Sequence, residues 1–345
     1  AGVTGSTHAI HTAPITTEIG NMMFTALMSG RAGAEAGTLH HRRMAWLIVF
    51  GLLHAYVLWY GDILFTYGVC GLVAFACRDM KPSALLPAAF ALLLAGAAIP
   101  VALGSTVPPD KLAEMSAQDW KPAPEVIDAE LTAYRGGFLA QSRHRVPESL
   151  KFQTFYLLFT VFWRVLGLML LGMALFRLDV VTARLAPRQY AALALLGFGV
   201  GLPLVIAGVQ QNFAHDWSIE YAMRGGGLWN YWGSVAMALG YTGLVMWIVR
   251  AGVLAWLTSR LADLGRMAFS NYILQTLIAT TIFYGHGLGL FGSVERTGQL
   301  AIVLAICALQ LVVSALWLRH FRFGPLEWGW RRLSYGRRLR LKTED

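Results

Sequence analysis

The chain has 345 residues, of which 56% are hydrophobic and only 14% charged, and its mean hydropathy is +0.53. Soluble domains carry about 25% charged residues, so two water-facing domains of this size are excluded, as are disorder and a disulfide-rich secreted scaffold. The net charge of +9 sits in short loops between apolar runs and in the tail. That is the positive-inside pattern of a membrane protein, not the contiguous basic face that nucleic acid requires.

In chain order, residues 1–43 read as a polar N-terminal segment, within which NMMFTALMSG (21–30) is apolar but too short to span. Eight runs then approach the length a spanning helix needs, about 20 apolar residues: 44–61, 63–77, 84–104, 152–176, 190–210, 230–249, 267–284 and 300–318. Lipid offers the backbone no hydrogen-bond partner, so runs of this length are expected to be helical. The expected fold is an all-α polytopic membrane bundle of about eight transmembrane helices over 44–318. The second run is short and follows the first almost without a loop, and Gly61–Asp62 predicts a tight helical hairpin there. The loop 105–151 carries Pro108, Pro109, Pro122 and Pro124 and an acidic first half. Its residues 125–142 predict a short amphipathic helix on the membrane, in either a solvated connector or a lid. A basic tail, 319–345, closes the chain.

Alternating the eight runs across a bilayer places 19 Lys and Arg on one side and 8 on the other, with Arg164 inside a span. The richer side, which holds the tail, is expected to be cytoplasmic. The loop 105–151 and those near 211–229 and 285–299 are then outside. Arg331, Arg332, Arg337, Arg338, Arg340 and Lys342 in the tail predict docking to anionic lipid, at about 1 kcal/mol per basic residue near the surface. Trp317, Trp328 and Trp330 suit an interfacial anchor.

The three cysteines, Cys70, Cys77 and Cys307, form no CxxC pair and no cluster with histidine at metal spacing. They read as small core residues, and no resident metal or cofactor is expected.

Ionisable groups inside spans are where chemistry is sought, because each costs free energy unless it meets a cavity, a partner or a function. His54 lies about midway along the first run, and Asp62 follows eight residues later, about 80° away on a helical wheel. A carboxylate beside an imidazole holds its tautomer and stabilises its charged form. The pair therefore suits a general base with its orienting partner, or a proton relay. The alternative is a histidine bonded to a neighbouring helix with Asp62 capping a helix start. Arg164 keeps its charge and needs an anion, either Asp62 or the phosphate or carboxylate of a ligand. Asn271 and Gln275, spaced i, i+4, share a helix face beside Tyr272. They suit either interhelical bonding or a polar cavity opening toward Arg266, where an acyl-CoA phosphate could rest. His215, Asp216, Glu220 and His286, in outer loops, could complete an outward acceptor site.

Two stretches carry a family likeness. GLLHAYVLWYGDILFTYGVCGL (51–72) is one; GRMAFSNYILQTLIATTIFYGHGLGLFG (265–292), followed by LRHFRFGPLEWGWRRLSYG (318–336), is the other. Over about 40–340 the chain resembles the YeiB-like family of bacterial multi-pass membrane proteins, a domain of unknown function (number 418). Members usually begin with further spanning sequence containing an Asp-x-x-Arg-Gly element, so the resemblance implies that the usual N-terminal helices are missing here. The Gly-Arg-x-Ala-x-x-Asn-Tyr start of the seventh helix also resembles transmembrane acyltransferases. That likeness implies transfer from a cytoplasmic acyl-CoA or similar donor to an envelope acceptor in a bacterial plasma membrane. Catalysis is then expected from His54 and Asp62, with binding by Arg164, Asn271, Gln275 and Arg266. A proton-coupled transporter of a small solute, or a non-catalytic scaffold, are the competing expectations.

Overall fold

A computed structural model describes residues 34–336 and Leu341. The first 33 residues, and the tail cations Arg337, Arg338, Arg340 and Lys342, lie outside the described residues. The described chain is all-α. Helix α1 (Ala34–Leu53) continues through a wide π turn, His54–Leu58, and α2 (Leu64–Ala74) follows after a short break. Then come α3 (Pro82–Ser105), α4 (Pro109–Met115) and α5 (Pro124–Arg135). Helix α6 (Phe138–Lys151) runs through a π segment, Phe152–Val161, into α7 (Phe162–Arg177). Helices α8 (Pro187–Ala214), α9 (Leu228–Ala251), α10 (Ala255–Arg266), α11 (Ala268–Phe283), α12 (Arg296–His320) and α13 (Pro325–Tyr335) complete the order.

Local chemistry sets many of these boundaries. Proline opens α3, α4, α5, α8 and α13, where its missing N–H is one that no helix would use. Glycine in the left-handed conformation ends α9 at Gly252 (φ 69°) and α13 at Gly336 (φ 63°).

Among the described residues, five helices are long and apolar enough to cross a membrane: α3, the continuous 40-residue α6–α7 rod, α8, α9 and α12. The expectation of about eight spans is therefore not met by length and apolarity. All eight runs are helical, but three fall short for identifiable reasons. Helix α1 carries His40, His41, Arg42 and Arg43 in its first half. Helix α2, with its 3-10 extension to Cys77, is a shorter apolar helix, and α11 has only 16 residues.

The core gathers α1, α2, α3, α7, α11 and α13 around Met44, Leu47, Leu64, Tyr67, Leu85 and Leu170. Helices α8 and α9 pack closely on each other. A Cβ built on Gly197 would lie 2.3 Å from the Gly240 nitrogen, so only glycine permits this approach. Their outer faces expose Leu195, Leu196, Ile206 and Val245, as lipid-facing surfaces do.

The stretch 105–151 is largely helical, exposed over most of its length, and buries Leu112, Tyr134, Gln141, Arg145 and Ser149. Its three helices cap the end of the bundle reached by the C-terminus of α1. Tyr134 on α5 stacks on Phe291, its carbonyl accepts from Gly285 N at 2.8 Å, and Arg135 Nε donates to Phe291 O at 2.8 Å.

Candidate functional site

His54 opens the π turn at the end of α1, where Trp59 N donates to His54 O at 2.9 Å. This i→i+5 bond widens the helix by one residue, and such bulges are frequent at functional sites. Trp59 is extended (φ −154°, ψ 127°), which stops the helix and lets the chain reverse. Asp62 follows just before α2, and its Oδ2 accepts from Phe65 N at 2.7 Å in the first turn of that helix. A carboxylate is favoured there by the unpaired N–H groups and the helix dipole. Its Oδ1 lies 2.9 Å from His54 Nδ1, and each side chain is 1% exposed.

The expected His54–Asp62 pair is thus present, but not on one helix face. It forms across the hairpin between the end of α1 and the start of α2. Gly51 makes the approach possible: a Cβ there would sit 2.2 Å from Phe65 N and 2.7 Å from Asp62 Oδ2.

Helix α11 closes the cluster. Thr276 Oγ1 lies 3.0 Å from His54 Nε2 and 3.3 Å from its own helix's Tyr272 O. The Tyr272 hydroxyl lies 3.5 Å from Asp62 Oδ1 and accepts from Ile63 N at 3.4 Å. Carboxylate, imidazole and hydroxyl therefore stand in series, in the order Asp62, His54, Thr276, with both imidazole nitrogens engaged.

Helix α6 clamps the turn that carries His54. Ser149 Oγ donates to Ala55 O at 3.0 Å, and Arg145 Nε and Nη1 donate to Tyr56 O and Leu58 O at 3.2 and 3.3 Å. The end of α1 leaves these carbonyls without intrahelical donors, and a cation there is favoured by the helix dipole. Arg145 is 1% exposed.

The opposite end of α11 is held by the C-terminal motif. Glu327 in Phe-Gly-Pro-Leu-Glu-Trp accepts from Ser270 N at 2.9 Å and Ser270 Oγ at 2.5 Å. Its burial pushes the carboxyl above the ordinary carboxylate range, against the pull of the Ser270 bonds. Trp330 Nε1 donates to Arg43 O at 2.9 Å and ties the same motif to α1.

The remaining expected residues lie apart from this cluster. Arg164 does not meet Asp62. Its Nη2 donates to Ser234 Oγ at 2.8 Å, and its guanidinium lies 4.2 Å from the Tyr231 ring centroid. Among the described residues no carboxylate pairs with it, because Asp62 is already committed to His54 and Phe65. Asn271 Nδ2 donates to Ser314 Oγ at 2.9 Å and Gln310 Nε2 donates to Asn271 O at 2.7 Å, so Asn271 joins α11 to α12. Gln275 is half-buried one turn on. Arg266 is half-exposed, pairs with Asp263 at 3.5 Å and donates to Arg322 O at 3.3 Å.

The outer-loop residues do not gather around His54 either. His215 stacks on Tyr221, Glu220 pairs with Arg224, and His286 Nδ1 meets Gln141 Oε1 at 3.1 Å. Among the described residues no three His, Cys, Asp or Glu side chains group as metal ligands do. A shallow cleft of about 400 Å³ is lined by Asp128, Leu131, Thr132, Arg135 and Gly136, and neither His54 nor Asp62 contributes to it.

Sequence reasoning missed Thr276, Ser149, Arg145 and Glu327. Thr276 lies one turn after Tyr272, the only available signal, and Glu327 lies in a motif whose residues drew notice without a role.

Residues 175–337 match the family model described as "Protein of unknown function (DUF418)". The chain is 29% identical over 330 residues to the uncharacterized protein YeiB of Escherichia coli (strain K12), covering 92% of this chain and 82% of that protein. It is 29% identical over 310 residues to the uncharacterized protein YxaH of Bacillus subtilis (strain 168), covering 86% and 72%. No solved structure matches. The expected YeiB-like resemblance is borne out. The stretch matched by the family model contains Tyr272, Thr276 and Glu327, while His54 and Asp62 precede it.

Proposed function

For this YeiB-like chain, we propose an acyltransferase-like membrane enzyme that moves an acyl group from a cytoplasmic donor, such as an acyl-CoA, to an envelope acceptor. The observation that carries the reading is the buried series Asp62–His54–Thr276, at 2.9 and 3.0 Å. An imidazole whose Nδ1 is held by a carboxylate presents Nε2 as a base toward a hydroxyl, the arrangement acyl-transfer chemistry uses. Five helices able to cross a membrane supply the setting. In this reading His54 is the general base and Asp62 orients it. Arg164, an intramembrane cation bonded to a hydroxyl and an aromatic ring, holds an anionic group of a substrate. Arg266 stands at the donor side, and Asn271 and Gln275 line the helix between. The orientation expected from the charges, with the tail cytoplasmic and facing anionic lipid in a bacterial plasma membrane, places donor and acceptor on opposite sides.

The test is thermal stabilisation of the detergent-purified protein by acetyl-CoA, longer acyl-CoAs and free CoA, followed by turnover of labelled acetyl-CoA. A ligand at a hundredfold excess over its Kd raises stability by about 2.7 kcal/mol. A shift that disappears in Arg164 or Arg266 variants, with turnover lost in His54→Gln, supports the reading. Absence of both binding and turnover overturns it.

One observation favours a second reading, a proton-coupled transporter of a small solute. The His54–Asp62 pair is fully buried with its polar atoms bonded, as a proton relay would be. Uptake into proteoliposomes that follows a pH gradient and vanishes in Asp62→Asn would select it.

A further inference from the structure

We propose that Thr276 is the nucleophile of this site, so that acyl transfer runs through a threonine ester on the protein. The proposal rests on the acyl-transfer reading and specifies its covalent step. Asp62 Oδ2 is fixed by Phe65 N, so the carboxylate cannot swing away from His54, and Oδ1 holds the Nδ1 side of the ring at 2.9 Å. This leaves the Nε2 lone pair aimed at the Thr276 hydroxyl 3.0 Å away, the relation of base to nucleophile that activates a hydroxyl. The hydroxyl's other acceptor, Tyr272 O, is farther, at 3.3 Å. A threonine that merely bonded back onto its own helix would have no use for an imidazole in line. Thr276 is 8% exposed, and exclusion of water protects an ester from hydrolysis.

The step balances. Thr276 Oγ1 bonds to the acyl carbon of a thioester while its proton passes to His54 Nε2. The carbon–sulfur bond breaks, and the departing thiolate takes that proton from His54. In the second half an acceptor hydroxyl gives its proton to Nε2, and its oxygen bonds to the acyl carbon. The Thr276 ester bond then breaks, and Oγ1 recovers the proton. Donor and acceptor never occupy the site together, so a donor from one side of the membrane and an acceptor from the other can use it in turn.

The experiment incubates the full chain in detergent with labelled acetyl-CoA, without acceptor, and maps the label by proteolysis and mass spectrometry. The expected result is a hydroxylamine-labile acetyl group on the peptide bearing Thr276. It should be retained in Thr276→Ser and absent from Thr276→Val and from His54→Gln, with each variant shown to be folded by its melting profile. Turnover at the wild-type rate in Thr276→Val, or label on any other residue, overturns the proposal and leaves the acyl-transfer reading in place. Wild-type protein that neither takes label nor consumes acetyl-CoA overturns both.

Discussion

Helices α8 and α9 touch along glycines and present leucine, isoleucine and valine on their outer faces. Helices α1, α2 and α11 instead enclose a histidine, an aspartate, a tyrosine and a threonine that bond to one another. Both arrangements bring backbones close, since Gly51 is as confined against Phe65 as Gly197 is against Gly240. They differ in what closeness achieves. In the α8–α9 pair it maximises dispersion contact between helices that lipid would otherwise solvate equally well. Between α1 and α2 it positions a carboxylate at an imidazole. One region is therefore expected to answer to volume and the other to charge and hydrogen bonding.

Substitutions can break this contrast or sharpen it. The largest effect is expected from His54→Gln, which on the acyl-transfer reading lowers turnover by about 10²–10⁴-fold while a similar polar side chain stays in the cluster. Turnover of labelled acetyl-CoA with a parallel melting curve checks it. Gly240→Leu comes next. Overpacking against backbone that cannot yield is expected to destabilise by about 3 kcal/mol, seen as a lower melting temperature, and any loss of activity should follow the folded fraction alone. Arg145→Leu removes the donors to two helix-terminal carbonyls, Tyr56 O and Leu58 O, and should cost about 1.5–3 kcal/mol, the range for hydrogen bonds to a charged group. Unlike Gly240→Leu, it should also disturb the His54 turn, so turnover measured per folded molecule should fall.

Glu327 gives a smaller, pH-dependent effect. Its carboxyl is held above the ordinary range by burial, so the folded chain binds that proton more tightly than the unfolded chain does. Its contribution to stability is present below the unfolded pKa and is lost as pH rises through the raised folded value. Melting curves from pH 4.5 to 7 should therefore show a falling component in the wild type that is missing in Glu327→Gln. Leu195→Ala, on an exposed apolar face, should change stability by no more than about 0.5 kcal/mol.

The long apolar helices α3, α7, α8, α9 and α12 were legible in the sequence because each is an apolar run bounded by proline, glycine or charge. Of the eight expected spans, five have the length and apolarity to cross a membrane among the described residues, while α1, α2 and α11 are individually too charged or too short to meet that measure. Such helices are carried by packing, which no window of sequence displays. His54 and Asp62 were legible as ionisable residues within apolar runs, although the wheel that paired them described a continuous helix, and the chain in fact turns back at Trp59. Thr276 was not legible. A helical threonine is chemically ordinary until an imidazole 222 residues away points at it. Arg164 was legible as a cation within an apolar run, but Asp62 is not its neighbour, because depth along a run says nothing of which neighbouring helix faces it. The stretch 105–151 read as loop because its helices are short and polar, and its hold on Ala55, Tyr56 and Leu58 is made through backbone oxygens that every sequence has.

The hairpin that pairs His54 with Asp62 also bears on how the chain is made. Tyr272 is 210 residues beyond Asp62, so at about 5–20 residues per second the ribosome delivers it about 10–40 s later. During that interval an imidazole and a carboxylate must enter the membrane before α11 exists to meet them. Because they lie on neighbouring arms of one short hairpin, and Asp62 also engages the first turn of α2, each already has its partner at insertion. The nascent chain thus carries a hydrogen-bonded pair to which α11 later adds its hydroxyls.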